Sequence, residues 1–230
     1  MKLNITFMKA IVVFIIIVII YIYLESRSND VIYVVSALNN KRYLVRNLPD
    51  KQEAADLLAE ISLNLERMVE FLKITPPEEI YKKFKVKKGK EGKEGKDGKA
   101  GKAIDREKLE LLNTDIRRLV GNFNPNNFTE STPDAKTTSY SVNKGEKVVF
   151  CLRSKRVEQQ LVRKNTMMFV AIHELAHLMT KSVGHEPDFW DNFKFLLVIG
   201  IHLKTYKHVN FNRNPEEYCG TEITDTPLKL

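Results

Sequence analysis

An uninterrupted apolar segment near the amino terminus limits the architectures open to this chain. Residues 10–24 read AIVVFIIIVIIYIYL and carry no charge, and Tyr21 and Tyr23 lie where an interfacial aromatic belt would lie. A cleaved signal peptide and a buried core helix are the alternatives, but no A-x-A-like cleavage site follows the segment. We predict a single-pass membrane anchor. The lysines that precede it, Lys2 and Lys9, weakly favour an amino terminus on the inner side.

The net charge is concentrated in one short segment. The 230 residues carry a formal charge of +8, and residues 82–103 hold ten lysines against three acids, which is +7 of that total. The remainder of the chain is therefore nearly neutral. This distribution argues against a basic nucleic-acid-binding face, so no specific nucleic acid partner is expected. With 43% hydrophobic residues, the chain has enough apolar side chains for one packed domain of ordinary size.

The same lysine-rich segment contains a collagen-like repeat. Residues 89–103 are five Gly-X-Y triplets, GKE-GKE-GKD-GKA-GKA. A stable triple helix usually carries abundant proline, and these triplets have none. We interpret 86–103 as a flexible, solvated insert. The alternative is a short trimeric stalk, which would allow weak self-association through 89–103.

Hydrophobic periodicity and turn residues predict an α+β domain on both sides of the insert. Residues 31–47 indicate a hairpin, and a capped amphipathic helix follows Asp50 and ends before Thr75. A second helix is predicted over 104–120, a loop over 122–136, a hairpin from 138–142 and 147–152, and a third helix over 188–201. The predicted organisation is 1–30 tail and anchor, 31–85 hairpin plus helix at the start of the domain, 86–103 insert, and 104–230 core.

The chemically distinctive segment is a helix that contains H-E-x-x-H. Residues 165–185 read NTMMFVAIHELAHLMTKSVGH, with Asn165 as the predicted cap. His173 and His177 are four residues apart and therefore project from one face of the helix, where both imidazoles can bind one Zn²⁺. Glu174 can orient a water molecule at the metal and accept its proton. Three polar groups in an apolar helix would otherwise be costly to bury, which disfavours a purely structural histidine pair.

A catalytic zinc needs a third protein ligand and an open position. His185 lies eight residues after His177, and Gly184 can end the helix in a left-handed turn that returns the chain to the metal. We predict His185 as the third ligand, with Glu186 and Asp188 as alternatives.

Other polar residues carry weaker signals. Tyr218 is a candidate hydrogen-bond donor to an oxyanion, and Tyr206 and Tyr140 are alternatives that nothing in the spacing separates from it. Two cysteines allow one disulfide, a metal ligand or two free thiols, and we favour free or inert thiols for Cys151 and Cys219. Two further histidines are expected to be ordinary polar residues: His202 and His208.

The stretch HELAHLMTKSVGHEPDFW resembles zinc metallopeptidases of the WLM and SprT-like group, in particular the small WLM-like predicted peptidases of large DNA viruses. Further similar stretches are YLVRNLPDKQEAADLLAEI, TSYSVNKGEKVVFCLR and PEEYCGTEITDTPL. The resemblance implies a compact zincin-like fold, in which a small antiparallel sheet packs on the H-E-x-x-H helix. It implies His173, His177 and His185 as ligands of one zinc and Glu174 as the general base. The gap between His177 and His185 differs from metzincin spacing, and no Met-turn is present.

These patterns predict a membrane-anchored zinc metallopeptidase that acts on proteins or peptides at a viral or host membrane. The substrate would add a strand to the sheet beside residues 147–152. Two alternatives belong to other classes. One is a non-catalytic membrane or virion structural protein whose zinc site is closed by a fourth ligand such as Cys219. The other is an interaction module that uses the lysine-rich insert.

Overall fold

The computed structural model describes residues 5–28, 30–84, 105–135, 137–157 and 159–228. Within these ranges the elements are α1 (Ile5–Ser28), β1 (Val31–Val35), β2 (Arg42–Arg46), α2 (Lys51–Ile74), α3 (Pro77–Phe84), α4 (Arg106–Asn122), β3 (Phe128–Glu130), β4 (Tyr140–Val142), β5 (Lys147–Phe150), α5 (Lys164–Met179), α6 (Pro187–His202), β6 (Glu216–Tyr218) and β7 (Thr221–Ile223). The insert and its collagen-like triplets lie outside the described residues.

The main sheet is mixed, and the expectation of an antiparallel sheet was wrong. Its strand order is β1-β2-β3-β5-β4. The two predicted hairpins, β1–β2 and β4–β5, are antiparallel, but β2–β3 and β3–β5 are parallel. The central strand β3 lies in the Asn- and Pro-rich stretch that we expected to be a loop. Parallel neighbours need long crossover connections, and α2 to α4 supply the one between β2 and β3.

One continuous core joins the sheet to the helices. Helix α5 is at its centre and contacts α2, α4 and α6. Its apolar residues are buried almost all round, including Ile172, Leu175 and Met179. Each fully buried side chain of this size contributes roughly 1.5–3 kcal/mol to folding. Because α5 is held on several sides, its residues have well-defined positions.

Local signals located most helices but misassigned several ends. Helix α2 begins after Asp50 as expected, yet the Asp50 carboxylate accepts a hydrogen bond from Arg153 at 2.6 Å and does not cap the helix. Helix α3 was not anticipated; it begins at Pro77, where the fixed φ of proline suits a first helical position. Asn165 is not the cap of α5. It lies in the first turn, and its amide bonds both backbone groups of Lys207.

The cysteines form a disulfide, which corrects the expectation of free or inert thiols. Cys151 follows β5 and Cys219 occupies the β6–β7 turn, with Cα atoms 6.2 Å apart. They are separated by 68 residues in sequence, so their pairing depends on tertiary structure. The bond fastens the carboxyl-terminal hairpin to the end of the main sheet.

Helix α1 is long and apolar enough to cross a membrane. Residues Met8–Glu25 have a mean hydropathy of 2.5, and none of this window is buried inside the protein. Length and composition fit a membrane-spanning helix and an amino-terminal signal sequence equally. The exposure of the window gives no support to the core-helix alternative.

Candidate active site

Helix α5 presents the H-E-x-x-H residues to a cleft. His173 and His177 lie one turn apart and are both half-buried, and their ring centroids are 5.0 Å apart. Glu174 is only 5% exposed, and the apolar neighbours of the helix surround it. The helical repeat fixes the relation of these three side chains, while the core packing of α5 fixes their direction.

His185 reaches the same place from a loop. Helix α5 ends at Met179, five residues before the glycine that was expected to end it. Gly184 has a positive φ of 83° inside the following loop, where it redirects the chain and brings His185 back over the helix. The Nε2 atoms of His185 and His173 are 3.1 Å apart.

The three imidazoles form a compact donor cluster. One nitrogen from each of His173, His177 and His185 lies within 4.8 Å of the others. Tetrahedral zinc with Zn–N bonds of about 2.0–2.1 Å separates neighbouring nitrogens by roughly 3.4 Å, so this spacing suits one ion. Among the described residues, neither acidic alternative joins this cluster. Asp188 instead accepts a 2.5 Å hydrogen bond from the Ser182 hydroxyl.

The protonation of the cluster also suits metal binding. Burial, followed by the nearby His177 and His185, lowers the pKa of His173 to about 3. Burial lowers the pKa of His177 to about 4, with smaller effects of His185 and Lys144. Both rings are therefore neutral at pH 7 and have a lone pair available for a metal.

Glu174 has the environment of a proton acceptor rather than of a surface acid. Burial raises its pKa to about 7. Its Oε2 atom is buried and has no hydrogen-bond partner among the described residues. A pKa near the working pH favours general base catalysis, because the ionised form is available and still binds a proton strongly.

The cleft has a volume of about 670 Å³, and α5, the loop after it, β4 and the carboxyl-terminal hairpin line it. Tyr218 lies in this lining, buried, with its hydroxyl bonded to that of Ser139. Burial raises the pKa of Tyr218, so the phenol stays protonated. Tyr140 also lines the cleft, whereas Tyr206 lines a different pocket beside the start of α5.

The structure also shows where Cys219 and the two other histidines lie relative to the histidine cluster. The disulfide occupies Cys219, which removes the named fourth ligand of the structural-zinc alternative. His202 packs against the rings of Phe71 and Phe84, away from the histidine cluster, in the ordinary role expected of it. His208 lines the same pocket as Tyr206 and is likewise absent from the cluster.

Sequence reasoning did not identify the residues that hold the side chains of the site in place. Phe189 at the start of α6 stacks on His177, with ring centroids 4.4 Å apart and planes at 29°. Ser139 bonds Tyr218 and also accepts a hydrogen bond from the backbone N–H of Cys151 at 3.1 Å. The apolar pattern of α6 predicts that Phe189 is buried, but no local signal connects Ser139 with Tyr218, because 79 residues separate them.

The WLM domain model matches residues 92–227, which is more than half of the chain. The chain belongs to the WLM family. A viral protein is similar over most of the chain: uncharacterized protein R325 of Acanthamoeba polyphaga mimivirus is 32% identical over 214 residues, which cover 93% of each chain. Uncharacterized protein 042R of Invertebrate iridescent virus 3 is 42% identical over 52 residues, which cover 22% of this chain and 31% of that protein.

Among solved structures, Wss1 from Saccharomyces cerevisiae aligns at 21% identity with a TM-score of 0.33, covering 46% of this chain and 87% of that one. A structure of a Wss1 mutant gives the same TM-score at 20% identity, with 46% and 88% coverage. A TM-score at this level does not by itself establish a shared fold. Membership of the WLM family indicates a peptidase-type hydrolase with protein substrates.

Proposed function

We propose that this chain is a membrane-anchored, zinc-dependent metallopeptidase with a zincin-like domain. One observation carries the proposal: three histidine nitrogens converge beside a buried glutamate in the same cleft. Bound zinc would polarise the scissile carbonyl and lower the pKa of the attacking water. His173, His177 and His185 would hold the ion.

The residues present fit that ion. All three donors are imidazoles, a usual ligand set of catalytic zinc, and the two on α5 are kept neutral by burial. The unpartnered Oε2 atom of Glu174 is a buried acceptor that a reacting water molecule would satisfy.

Glu174 would act as the general base. Its carboxylate accepts the proton of the attacking water and then transfers it to the departing amine. The apolar surroundings of Glu174 hold its affinity for a proton high enough for both transfers.

Tyr218 would donate a hydrogen bond to the oxyanion of the substrate. Ser139 accepts from the Cys151 backbone, and its own hydroxyl hydrogen can be donated to the Tyr218 oxygen. The phenolic hydrogen would then be available to an oxyanion in the cleft that Tyr218 lines. Tyr218→Phe is expected to lower kcat by about a hundredfold, the usual effect of removing one oxyanion donor.

The substrate backbone would pair with β4 rather than with residues 147–152, the strand predicted from sequence. Strand β5 lies between β3 and β4, so both of its edges are paired, whereas β4 ends the sheet and borders the cleft. An extended peptide on β4 would add a sixth strand and pass the histidine cluster.

Helix α1 would anchor the domain on the oxidising side of a membrane. Disulfides persist in oxidising compartments, and the bond between Cys151 and Cys219 fits that side. Lys2 and Lys9 precede the uncharged run of residues 10–24 and favour the opposite side for the amino terminus. Alkaline carbonate should leave the full chain in the membrane pellet. Extraction into the supernatant would contradict the anchor.

The decisive experiment compares Glu174→Gln with the wild-type chain in zinc binding and in cleavage of a denatured protein and a peptide library. The variant should retain one zinc per chain and lose cleavage, because the ligands remain and the base is removed. Glu110→Gln, at an exposed position on α4, is the matched control and should leave both unchanged. Cleavage by Glu174→Gln near the wild-type rate would overturn the assignment.

A further inference from the structure

The carboxyl end of α5 is capped by side chains from other elements. The last carbonyl groups of any helix lack intrahelical partners. Here Asn122 donates to the Leu178 carbonyl at 3.0 Å, and Arg118 donates to the Met179 carbonyl at 2.9 Å. The backbone turns into an extended conformation at Thr180, without a glycine at the cap. Side chains from α4 therefore replace the usual local cap.

Lys144, in the β4–β5 turn, completes this cap and extends it beyond the helix. Its Nζ donates to the carbonyl of His177 at 3.3 Å, of Thr180 at 2.9 Å and of Ser182 at 2.7 Å. An ammonium group has three N–H donors, so these three acceptors use all of them. The positive charge also lies at the negative end of the helix dipole, where it is favourable.

The three carbonyls belong to two different parts of the site. One is on a proposed zinc ligand of α5, and the other two are in the loop that leads to His185. A single ammonium group thus ties the end of the helix to the loop that carries the third histidine.

The turn that presents Lys144 is itself fixed. Lys144 has a φ of 54°, and the next residue, Gly145, has a φ of 113°. A Cβ added at Gly145 would lie 2.3 Å from the Asn122 carbonyl oxygen. The turn therefore packs directly against the end of α4, which fixes the backbone from which the Lys144 side chain extends.

The loop depends on such polar contacts because apolar burial contributes little to it. Val183 is 85% exposed, and His185 is also exposed. Lys144 binds the carbonyls of Thr180 and Ser182, and Asp188 accepts from the Ser182 hydroxyl at 2.5 Å and from the Ser182 backbone N–H at 3.4 Å. His173 and His177 are held by the helix that carries them. His185 packs its ring on Phe189 and Trp190 of α6, with centroids 4.6 and 5.8 Å away, and depends on the loop for the position of its backbone.

We infer that Lys144 is a positioning residue for the third histidine: it holds the backbone of residues 180–182 so that His185 can complete the metal site. This inference rests on the proposed zinc site. It also assigns Lys144 no direct role toward substrate, because its three donors are already used.

The test measures zinc affinity of the full chain by competition with a chromophoric chelator. Lys144→Met should weaken zinc binding by about tenfold to a hundredfold, the range found when supports of metal ligands are removed. Lys144→Arg keeps a cation with several donors and should restore part of the affinity. Lys147→Met, an exposed lysine at the start of β5, is the matched control and should change it less than twofold.

A double-mutant comparison separates positioning from general stability. His185→Ala removes the residue through which Lys144 is inferred to act, so adding Lys144→Met to it should change zinc affinity less than twofold. Cobalt(II) absorption should show a changed coordination geometry in Lys144→Met alone. If that variant does not fold, Lys144→Gln retains two N–H donors and should show a smaller loss of affinity in the same comparison.

Two results would overturn the inference: zinc affinity of Lys144→Met within twofold of wild type, or an equal loss from Lys144→Met in the His185→Ala background. A wild-type chain that binds no zinc would instead overturn the proposed function, and this inference with it. Zinc bound normally without peptide cleavage would remove the peptidase proposal and leave the role of Lys144 standing.

Discussion

Two of the walls of the cleft, helix α5 and the β6–β7 hairpin, are built in different ways. The wall that carries His173 and Glu174 is a helix buried among three other helices. A second wall is the small hairpin β6–β7, which contributes Tyr218 and Ile223 to the cleft. A two-stranded hairpin is marginally stable by itself in water. It is held by the disulfide and by hydrogen bonds of Tyr218 to Ser139 and of Thr166 to Glu216.

Because of this difference, we expect different substitutions to disrupt each wall. Apolar packing holds the helical wall, so its polar groups can be changed with little effect on the fold. A covalent bond and a few polar contacts hold the hairpin wall. Changes to these contacts should alter the stability of the hairpin while leaving the histidine cluster in place.

The largest expected effect is on metal binding by the helical wall. His173→Ala combined with His177→Ala should reduce zinc from one per chain to none, because two of three ligands are lost. Metal analysis after removal of loosely bound ions measures the zinc content per chain. His202→Ala, a histidine at the end of α6 outside the cluster, should keep one zinc per chain. Zinc retained in the double variant would refute the ligand assignment.

The next effect is on the hairpin wall. Cys151→Ser combined with Cys219→Ser opens a loop of 68 residues in sequence and should lower the free energy of unfolding by about 4 kcal/mol in the chain-entropy description. Denaturant unfolding measures this change, and zinc content reports whether the histidine cluster of the helical wall is intact. Zinc binding should persist under native conditions. Loss of zinc together with the disulfide would show that the two walls are not independent.

A pH-dependent effect of similar size on folding stability is expected from Glu174. Its pKa in the folded chain, about 7, is above the ordinary value of 4.5 because burial disfavours the ionised carboxylate. The folded chain carries no such penalty below pH 4.5 and loses stability as the pH rises from there through 7. In the zinc-free chain, Glu174→Gln should therefore increase stability by about 3 kcal/mol at pH 8.5. At pH 5 the change should be small.

Thermal unfolding of the zinc-free wild-type and variant chains at both pH values checks this expectation. Both chains contain the same histidines, so histidine titration cancels in the difference. Glu110→Gln should give no pH-dependent difference, since that side chain is exposed. An equal effect of Glu174→Gln at pH 5 and pH 8.5 would show that burial does not control its ionisation.

The smallest effect should come from the exterior of the hairpin. Arg156 and Glu222 form an ion pair at 2.9 Å, and both side chains are about half exposed. Exposed pairs contribute roughly 0–1 kcal/mol, so Arg156→Ala should lower unfolding free energy by less than about 1 kcal/mol. Denaturant unfolding at low and high salt measures it. A loss of unfolding free energy as large as that caused by removing the disulfide would show that this ion pair is a main support of the hairpin.

Local patterns predicted much of the secondary structure. The β1–β2 and β4–β5 hairpins and the amphipathic helices α2, α4, α5 and α6 were expected, with shifts of a few residues at several ends, whereas the β6–β7 hairpin was not. Strand β3 could not be found in the same way, because three residues between Asn-rich and Pro-rich turns carry no usable periodicity. It becomes a strand only when β2 and β5 supply hydrogen-bond partners on both sides.

The sequence by itself determined the nature of the site. The spacing of His173 and His177 places both rings on one helix face, and Glu174 adjoins the first, because helical geometry is local. The apolar segment at the amino terminus and the near-neutral charge of the domain were equally evident. These properties depend on neighbours within a few positions, which a linear pattern records.

Only the tertiary structure decided how that site is completed. His185 was predicted as the third ligand, but the structure ends α5 earlier than expected and returns His185 from a loop. It joined Cys151 to Cys219 and placed β4 rather than β5 at the edge of the sheet. It also placed the Lys144 ammonium on carbonyls 33 to 38 residues away. Such contacts join distant segments, and their free energy depends on how the whole core packs rather than on the order of nearby residues.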